Sequence, residues 1–352
     1  MKLLISAFFG LCLLSLTAQE IAGPIQPLTG PGGAEYVCDS VIFQDFARRP
    51  DGYWLFEPAA PRPDSARVVV FMHGYGAYNP MIYGEWINHL VRRGNIVIFP
   101  RYQRNLIFPR PPRFGRNASQ GIRDALVELD TGQHVRPIVE PLVIVGHSYG
   151  GVVAADLGVN FEAYEIPQPK GLLLCAPGSG PFRGGRLKSY EQMPEDTYLL
   201  VMVSDNDRVV GDKFGHLVYE TAVNTPHRNL IRQYRDDYGS KPIRDGHNES
   251  YSLYPDFDIG KRNFSSKRAL SIGRLDAVDY YGYWKLLDAL IDYTANGTNY
   301  EYAFGNTPQQ TFLGEWSDGT PIRPLEVWMP EVVVDSLNRA GQEAMMMEGN
   351  KD

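Results

Sequence analysis

The sequence predicts an α/β protein with a mostly parallel central sheet flanked by helices on both faces. Short apolar runs that read as strands alternate with amphipathic helical stretches over residues 67–294, and such alternation implies βαβ units. The strand runs are continuously apolar, the pattern of strands buried on both faces. A composition of 43% hydrophobic and 21% charged in 352 residues is enough to bury a full core.

Residues 19–35 are rich in Pro and Gly and read as a loose leader. Tyr36–Phe46 and Gly52–Glu57 read as two strands around a turn at Arg49–Gly52. No helix separates them, so they predict an antiparallel edge. Arg67–Met72 is the first buried strand, followed by a helix over Tyr83–Arg93 that Gly94 stops. Asn95–Pro100 is the next strand. Gln120–Leu129 is helical, with Ile122, Leu126 and Leu129 along one side. Leu142–Val145 is a strand that breaks into Gly146–Gly151 and continues as a helix over Val152–Val159. Lys170–Ala176 and Thr197–Ser204 are strands, Lys213–Ala222 a helix, His227–Tyr234 a last strand and Ala277–Thr294 a long helix. The tail from Tyr300 offers Thr311–Trp316 and Leu325–Trp328 to the core, and Ala340–Asp352 reads as frayed.

The N-terminus has the pattern of a secretory signal peptide. Lys2 gives a positive start, Leu3–Leu16 is almost wholly apolar, and Thr17-Ala18-Gln19 puts a small residue at a cleavage position. The segment is too short for a membrane anchor, and no other stretch is long and apolar enough to span a bilayer. The expected organisation is a signal peptide at 1–18, a leader at 19–35, a catalytic domain at 36–299 and a C-terminal extension at 300–352. Cleavage leaves Cys38 and Cys175. Export permits a disulfide between them, but Cys175 sits in the apolar run Leu172–Ala176 and reads as a buried thiol. A net charge of −7 with no Lys/Arg-rich run argues against nucleic acid as a partner. Four glycosylation sequons, at Asn117, Asn248, Asn263 and Asn296, are incidental unless the host glycosylates.

Gly146-x-Ser148-x-Gly150 follows four β-type residues and opens a helix. That strand–turn–helix setting is the one a nucleophile elbow requires. The turn is sharp and strained, so residues two before and two after the serine must lack side chains, or strand and helix collide. Gly146 and Gly150 meet that demand.

With Phe71-Met72-His73-Gly74-Tyr75-Gly76, Val145–Gly151 and Ser204–Val210, the chain from about Cys38 to Tyr293 resembles the α/β-hydrolase superfamily. The resemblance is nearest to secreted esterases of the dienelactone-hydrolase-like and polyester-hydrolase-like branches. It implies a Ser–acid–His triad in that chain order. Ser148 at the elbow disfavours haloalkane dehalogenase, epoxide hydrolase and true dienelactone hydrolase, which place another residue type there.

The acid belongs just past the Leu199–Val203 strand. The family pattern selects Asp207, ahead of Val209-Val210, with Asp205 the alternative. The base belongs on a loop after the next strand, which selects His247, with His227 and His216 as alternatives. The oxyanion hole would use the backbone N–H of Tyr149 and, by resemblance, of Tyr75, with Gly76 as the alternative donor. His73, Gly74, Tyr78 and His147 are expected to line the substrate pocket. Only about twenty residues separate the strands at Ala176 and Thr197, which leaves no room for a large lid and predicts an open site. Residues 248–276 are a long polar connection expected to cover the site in part.

No metal-ligand spacing and no Walker or dinucleotide glycine motif occurs, so no metal or cofactor is expected. The reading is a secreted serine hydrolase acting on a small-molecule or polymeric ester. An amide or peptide hydrolase on the same triad and a catalytically silent binding protein are the alternatives.

Overall fold

The computed structural model describes residues 20–182 and 184–330. The expected signal peptide and frayed end lie outside the described residues. Among the described residues there are nine strands: β1 (Ser40–Asp45), β2 (Tyr53–Ala60), β3 (Ser65–Met72), β4 (Asn95–Pro100), β5 (Arg136–His147), β6 (Pro169–Cys175), β7 (Tyr198–Ser204), β8 (Arg228–Gln233) and β9 (Glu326–Trp328). They form one sheet in the order β1-β2-β4-β3-β5-β6-β7-β8-β9. The strands from β4 to β8 in this order run parallel, while β2 pairs antiparallel with β4 and with the edge β1, and the other edge, β9, pairs antiparallel with β8.

The helices that matter for the site are α1 (Gly84–Arg92), α2 (Phe114–Thr131), α3 (Tyr149–Asn160), α4 (Lys213–Thr221), α5 (Phe264–Ile272) and α6 (Lys285–Asn296). The period-two pleat of the strands divides the interior into two cores. Val69 and Phe71 pack with Trp86, Leu90, Leu287 and Leu290 of α1 and α6. Val68, Val70 and Met72 pack with Ile122, Val153 and Val218 of α2, α3 and α4. Helices thus cover both faces, which is why the strands read as unbroken apolar runs.

β4 and β5 flank β3 on opposite sides. The chain leaves β3 in one direction, returns across it, and opens a crevice beyond the carboxyl ends of β3 and β5. Such a switch point is where open α/β sheets bind ligands.

Three features differ from the sequence expectation. The leader is not loose. Ser240 and Ser317 donate their N–H groups to Ile21 O and Ala22 O, each at 2.9 Å, and Gly32 N–H donates to the buried Asp288 Oδ2 at 2.8 Å. Gly32, at φ +79°, lies against the Tyr280 carbonyl, where no Cβ fits. The sheet also gains β9, three residues too short to show a period of two. Finally, the long C-terminal helix begins as a π-helical stretch, Val278–Trp284, before α6. Cys38 and Cys175 are both buried and unbridged.

Residues 300–328 pack on the core, with Leu313, Trp316, Ile322 and Leu325 buried. Lys285 is the tie. It is 3% exposed, and its Nζ donates to the carbonyls of Gln309 and Gln310 at 2.9 Å and of Phe312 at 2.7 Å. Burial pushes its pKa down to about 7, and no carboxylate pairs with it among the described residues. Lys285→Met is expected to leave these carbonyls unpartnered. Each buried, unpaired group costs about 1–3 kcal/mol, partly offset by removal of the buried amine. At roughly 1–2 °C per kcal/mol for a chain of this size, differential scanning calorimetry should show a fall in Tm.

Candidate active site

β5 ends at His147, and α3 begins at Tyr149. Between them Ser148 sits at φ 55°, ψ −121°. A non-glycine residue there is strained by about 1–3 kcal/mol and persists only when its surroundings fix it. Here they do. Ser148 N–H donates to Cys175 O at 2.9 Å, and Ser148 O accepts from Gly151 N at 3.0 Å and Gly178 N at 3.2 Å. The elbow glycines are sterically required. A Cβ on Gly146 would fall closer than 3.0 Å to the backbone of Gly150, and one on Gly150 would do the same to the carbonyls of Met72 and His73.

His247, in the loop after β8, places Nε2 2.8 Å from Ser148 Oγ. Its Nδ1 lies 2.7 Å from Asp207 Oδ2. The other Asp207 oxygen, Oδ1, accepts from Val209 N at 2.8 Å and Val210 N at 3.0 Å. Burial opposes ionisation of Asp207, but His247 and these two N–H groups outweigh it and lower the carboxyl pKa. The ionised carboxylate accepts a hydrogen bond from Nδ1–H, which leaves Nε2 unprotonated and able to accept one from the Ser148 hydroxyl. Asn206 ties the acid and base loops together: its N–H reaches Asp245 O at 3.3 Å, and its Nδ2 donates to Asp245 Oδ2 at 2.9 Å.

The alternatives lie elsewhere. Asp205 pairs with Arg232 at 3.4 Å. His216 faces Asp212 and Glu220. His227 packs among the rings of Tyr198, Tyr300 and Phe304.

The alternative oxyanion donor, Gly76 N–H, is held by Gln103 Oε1 at 2.7 Å, and the neighbouring Gly74 N–H by Tyr83 Oη at 2.9 Å. Neither is free to bind an oxyanion. The N–H groups of Tyr75 and Tyr149 have no acceptor among the described residues. The Tyr75 loop is braced from the 248–276 connection. Asn263 caps α5 by accepting from Ser266 N at 2.9 Å, and its Nδ2 donates to Gly76 O at 2.7 Å. Ser265 Oγ donates to Tyr75 O at 3.0 Å.

A cavity of about 460 Å³ opens on Ser148 and His247. Gly74, Tyr75, Leu106 and Val209 form part of its wall, and Asn248, Tyr251, Phe264, Ser265 and Arg268 supply the rest from the 248–276 connection. That connection therefore flanks the site, and among the described residues no helix stands between β6 and β7. His73, Tyr78 and His147 do not line the cavity. The His73 ring stacks on Tyr102 at 4.1 Å, with its nitrogens against Gly74 O and Arg101 O at 2.7 Å. Tyr78 packs edge-on against that ring.

His147 lies under the site. Burial, and then the neighbouring His247, push its pKa down to about 3, so the ring is neutral. Its Nε2–H donates to His247 O at 2.8 Å. Its Nδ1 therefore accepts from the Tyr83 hydroxyl at 2.8 Å, and that hydroxyl accepts from Gly74 N–H. This buried chain joins the oxyanion-side loop to the backbone of the base. Tyr83, 64 residues from His147, has no local sequence signal. As a positioning residue, Tyr83→Phe is expected to lower kcat by about 10- to 100-fold and leave KM within about twofold. Stopped-assay kinetics on one ester check this; a change confined to KM would contradict it.

Among the described residues, no cluster of three or more His, Cys, Asp or Glu is arranged to hold a metal, and no helix is long and apolar enough to cross a membrane. The sequence model of the alpha/beta hydrolase family matches residues 69–329. The chain belongs to the alpha/beta hydrolase family. The match begins within β3 and ends just after β9. No curated protein matches the chain in sequence. Family membership supports a hydrolase.

Proposed function

We propose that the protein is a serine hydrolase that cleaves carboxylic esters through an acyl-enzyme. The observation that carries this reading is the continuous hydrogen-bonded line from Ser148 Oγ through the His247 ring to Asp207, at 2.8 and 2.7 Å. His247 Nε2 takes the hydroxyl proton as Ser148 Oγ attacks the ester carbonyl. The tetrahedral oxyanion accepts from the N–H groups of Tyr75 and Tyr149, each worth about 3 kcal/mol of transition-state stabilisation. The alcohol leaves with the proton from His247, and water resolves the acyl-enzyme by the reverse steps. Asp207 holds the imidazole tautomer and stabilises the imidazolium. Asp207→Asn is accordingly expected to lower kcat by about 10⁴-fold while the fold is kept, read by steady-state turnover and circular dichroism.

The proposal extends to a secreted esterase of the dienelactone-hydrolase-like or polyester-hydrolase-like branch. Export is read from the N-terminal apolar segment; a mature N-terminus at Gln19 in the exported fraction checks it. Ester class is tested by turnover of nitrophenyl esters from acetate to palmitate beside aminoacyl anilides. A short-chain ester preference is expected from the open cavity. Faster anilide turnover would replace the ester reading with an amidase one.

A further inference from the structure

The chain carries a net charge of −7, yet one surface cavity is strongly basic. It measures about 370 Å³ and lies between the β1–β2 turn and the loop that follows β4. Arg48, Arg49, Arg104, Arg110 and Arg113 line it, with Asp51 as its one carboxylate. Asp51 pairs with Arg49 at 3.1 Å. Among the described residues the other four arginines have no ion-pair partner.

The walls are built to hold these charges together. Arg101 spans both, donating to Ala47 O at 2.9 Å and Arg104 O at 3.0 Å. Pro109, Pro111 and Pro112 fix the backbone around Arg110 and Arg113. Arg110 itself sits in the left-handed region at φ 54°, ψ 59°, and Arg113 N–H closes the turn onto Arg110 O at 2.9 Å. The four unpaired arginines are all exposed, so like charge gathers on one concave surface. A bound oxyanion relieves the repulsion, and guanidinium groups bind carboxylate or sulfate in a bidentate fork.

We infer that this cavity is a binding site for the oxyanion groups of a chain molecule, carboxylated or sulfated, rather than for a single small ion. The loop supplies the reason. Arg104 is two residues from Leu106, which lines the catalytic cavity, and Tyr75 Oη donates to Leu106 O at 3.1 Å. One stretch of chain forms a wall of both cavities, so a ligand spanning it can place an anionic group among the arginines and an ester at Ser148. The second half of that statement rests on the hydrolase reading; the anion site does not. The cavity is concave and local, which disfavours a bilayer surface, and the arginines form no extended stripe like those that track a nucleic-acid backbone.

The test is calorimetric titration of the full chain with three oligosaccharides of equal length: a polyuronate, a sulfated one and a neutral one. Binding of at least one anionic oligomer, weakened by salt, with none of the neutral one is expected, and the stronger of the two names the oxyanion. Arg48→Gln/Arg110→Gln/Arg113→Gln should weaken it by at least about tenfold, and the single variants Arg48→Gln and Arg113→Gln by less. Turnover of neutral nitrophenyl acetate should stay within about twofold in all three. The inference falls if neither anionic oligomer binds, if the triple variant binds as the parent does, or if duplex DNA or phosphatidylglycerol vesicles bind more tightly. Since titration needs no turnover, its failure is distinct from failure of the hydrolase reading.

Discussion

Ser148→Ala is expected to lower ester kcat by about a million-fold while the protein still folds. The size follows from the unit in which Ser148 acts. With the hydroxyl gone, His247 Nε2 has no proton to take and Asp207 has no imidazolium to stabilise, so the loss is that of the whole line, not of one contact. The residual rate of about 10³–10⁴ over water would reflect the Tyr75 and Tyr149 N–H groups and substrate binding. Ser148 contributes little to stability. Its backbone bonds to Cys175, Gly151 and Gly178 persist in alanine, and the left-handed conformation is as strained for one as for the other. Tm should therefore stay within roughly 2 °C of the parent, since only one hydroxyl at the cavity wall is lost. A kcat reduced by less than tenfold would remove Ser148 from the chemistry.

Gly150→Ala carries the largest expected cost in stability. The added methyl meets backbone oxygens of Met72 and His73, at the end of β3, which cannot swing aside as a side chain would. α3 must instead move off β3, opening the core that Val152, Val153 and Ala154 share with Met72. Overpacking of this kind costs about 3 kcal/mol or more, and Tm should fall by roughly 4 °C or more. Activity should fall beyond the loss of folded protein, because the same shift carries the Tyr149 N–H away from the cavity. Gly23→Ala is the matched control. Its Cβ would meet only Trp316, at 3.9 Å, so Tm should not move. Equal melting curves for the two variants would contradict the steric account of the elbow.

The elements that the sequence reveals are those whose side chains meet both cores. β4, Asn95–Pro100, is legible to the residue because all six positions are buried and no polar face blurs its ends. The elbow is legible because sterics leave only glycine at 146 and 150. The position of His247 after β8 follows from chain order, and its contact with Asp207 from the adjacency of β7 and β8. What stays hidden depends on partners distant in the chain. The leader's packing rests on Gly32 against Tyr280 and Asp288, and a Pro/Gly-rich segment shows no period that would announce it. His73 looks like a site residue because it follows β3, but its ring turns onto Tyr102. Tyr83 and Asn263 brace the site through single long-range hydrogen bonds, which leave no pattern in a linear sequence.

Treatment of the purified protein with a fluorophosphonate tests the central claim most directly. The account predicts one adduct per chain, mapped by peptide mass spectrometry to Ser148, with loss of ester turnover in proportion to labelling and no adduct on Ser148→Ala. Absence of an adduct, or equal labelling of Ser148→Ala, would contradict it.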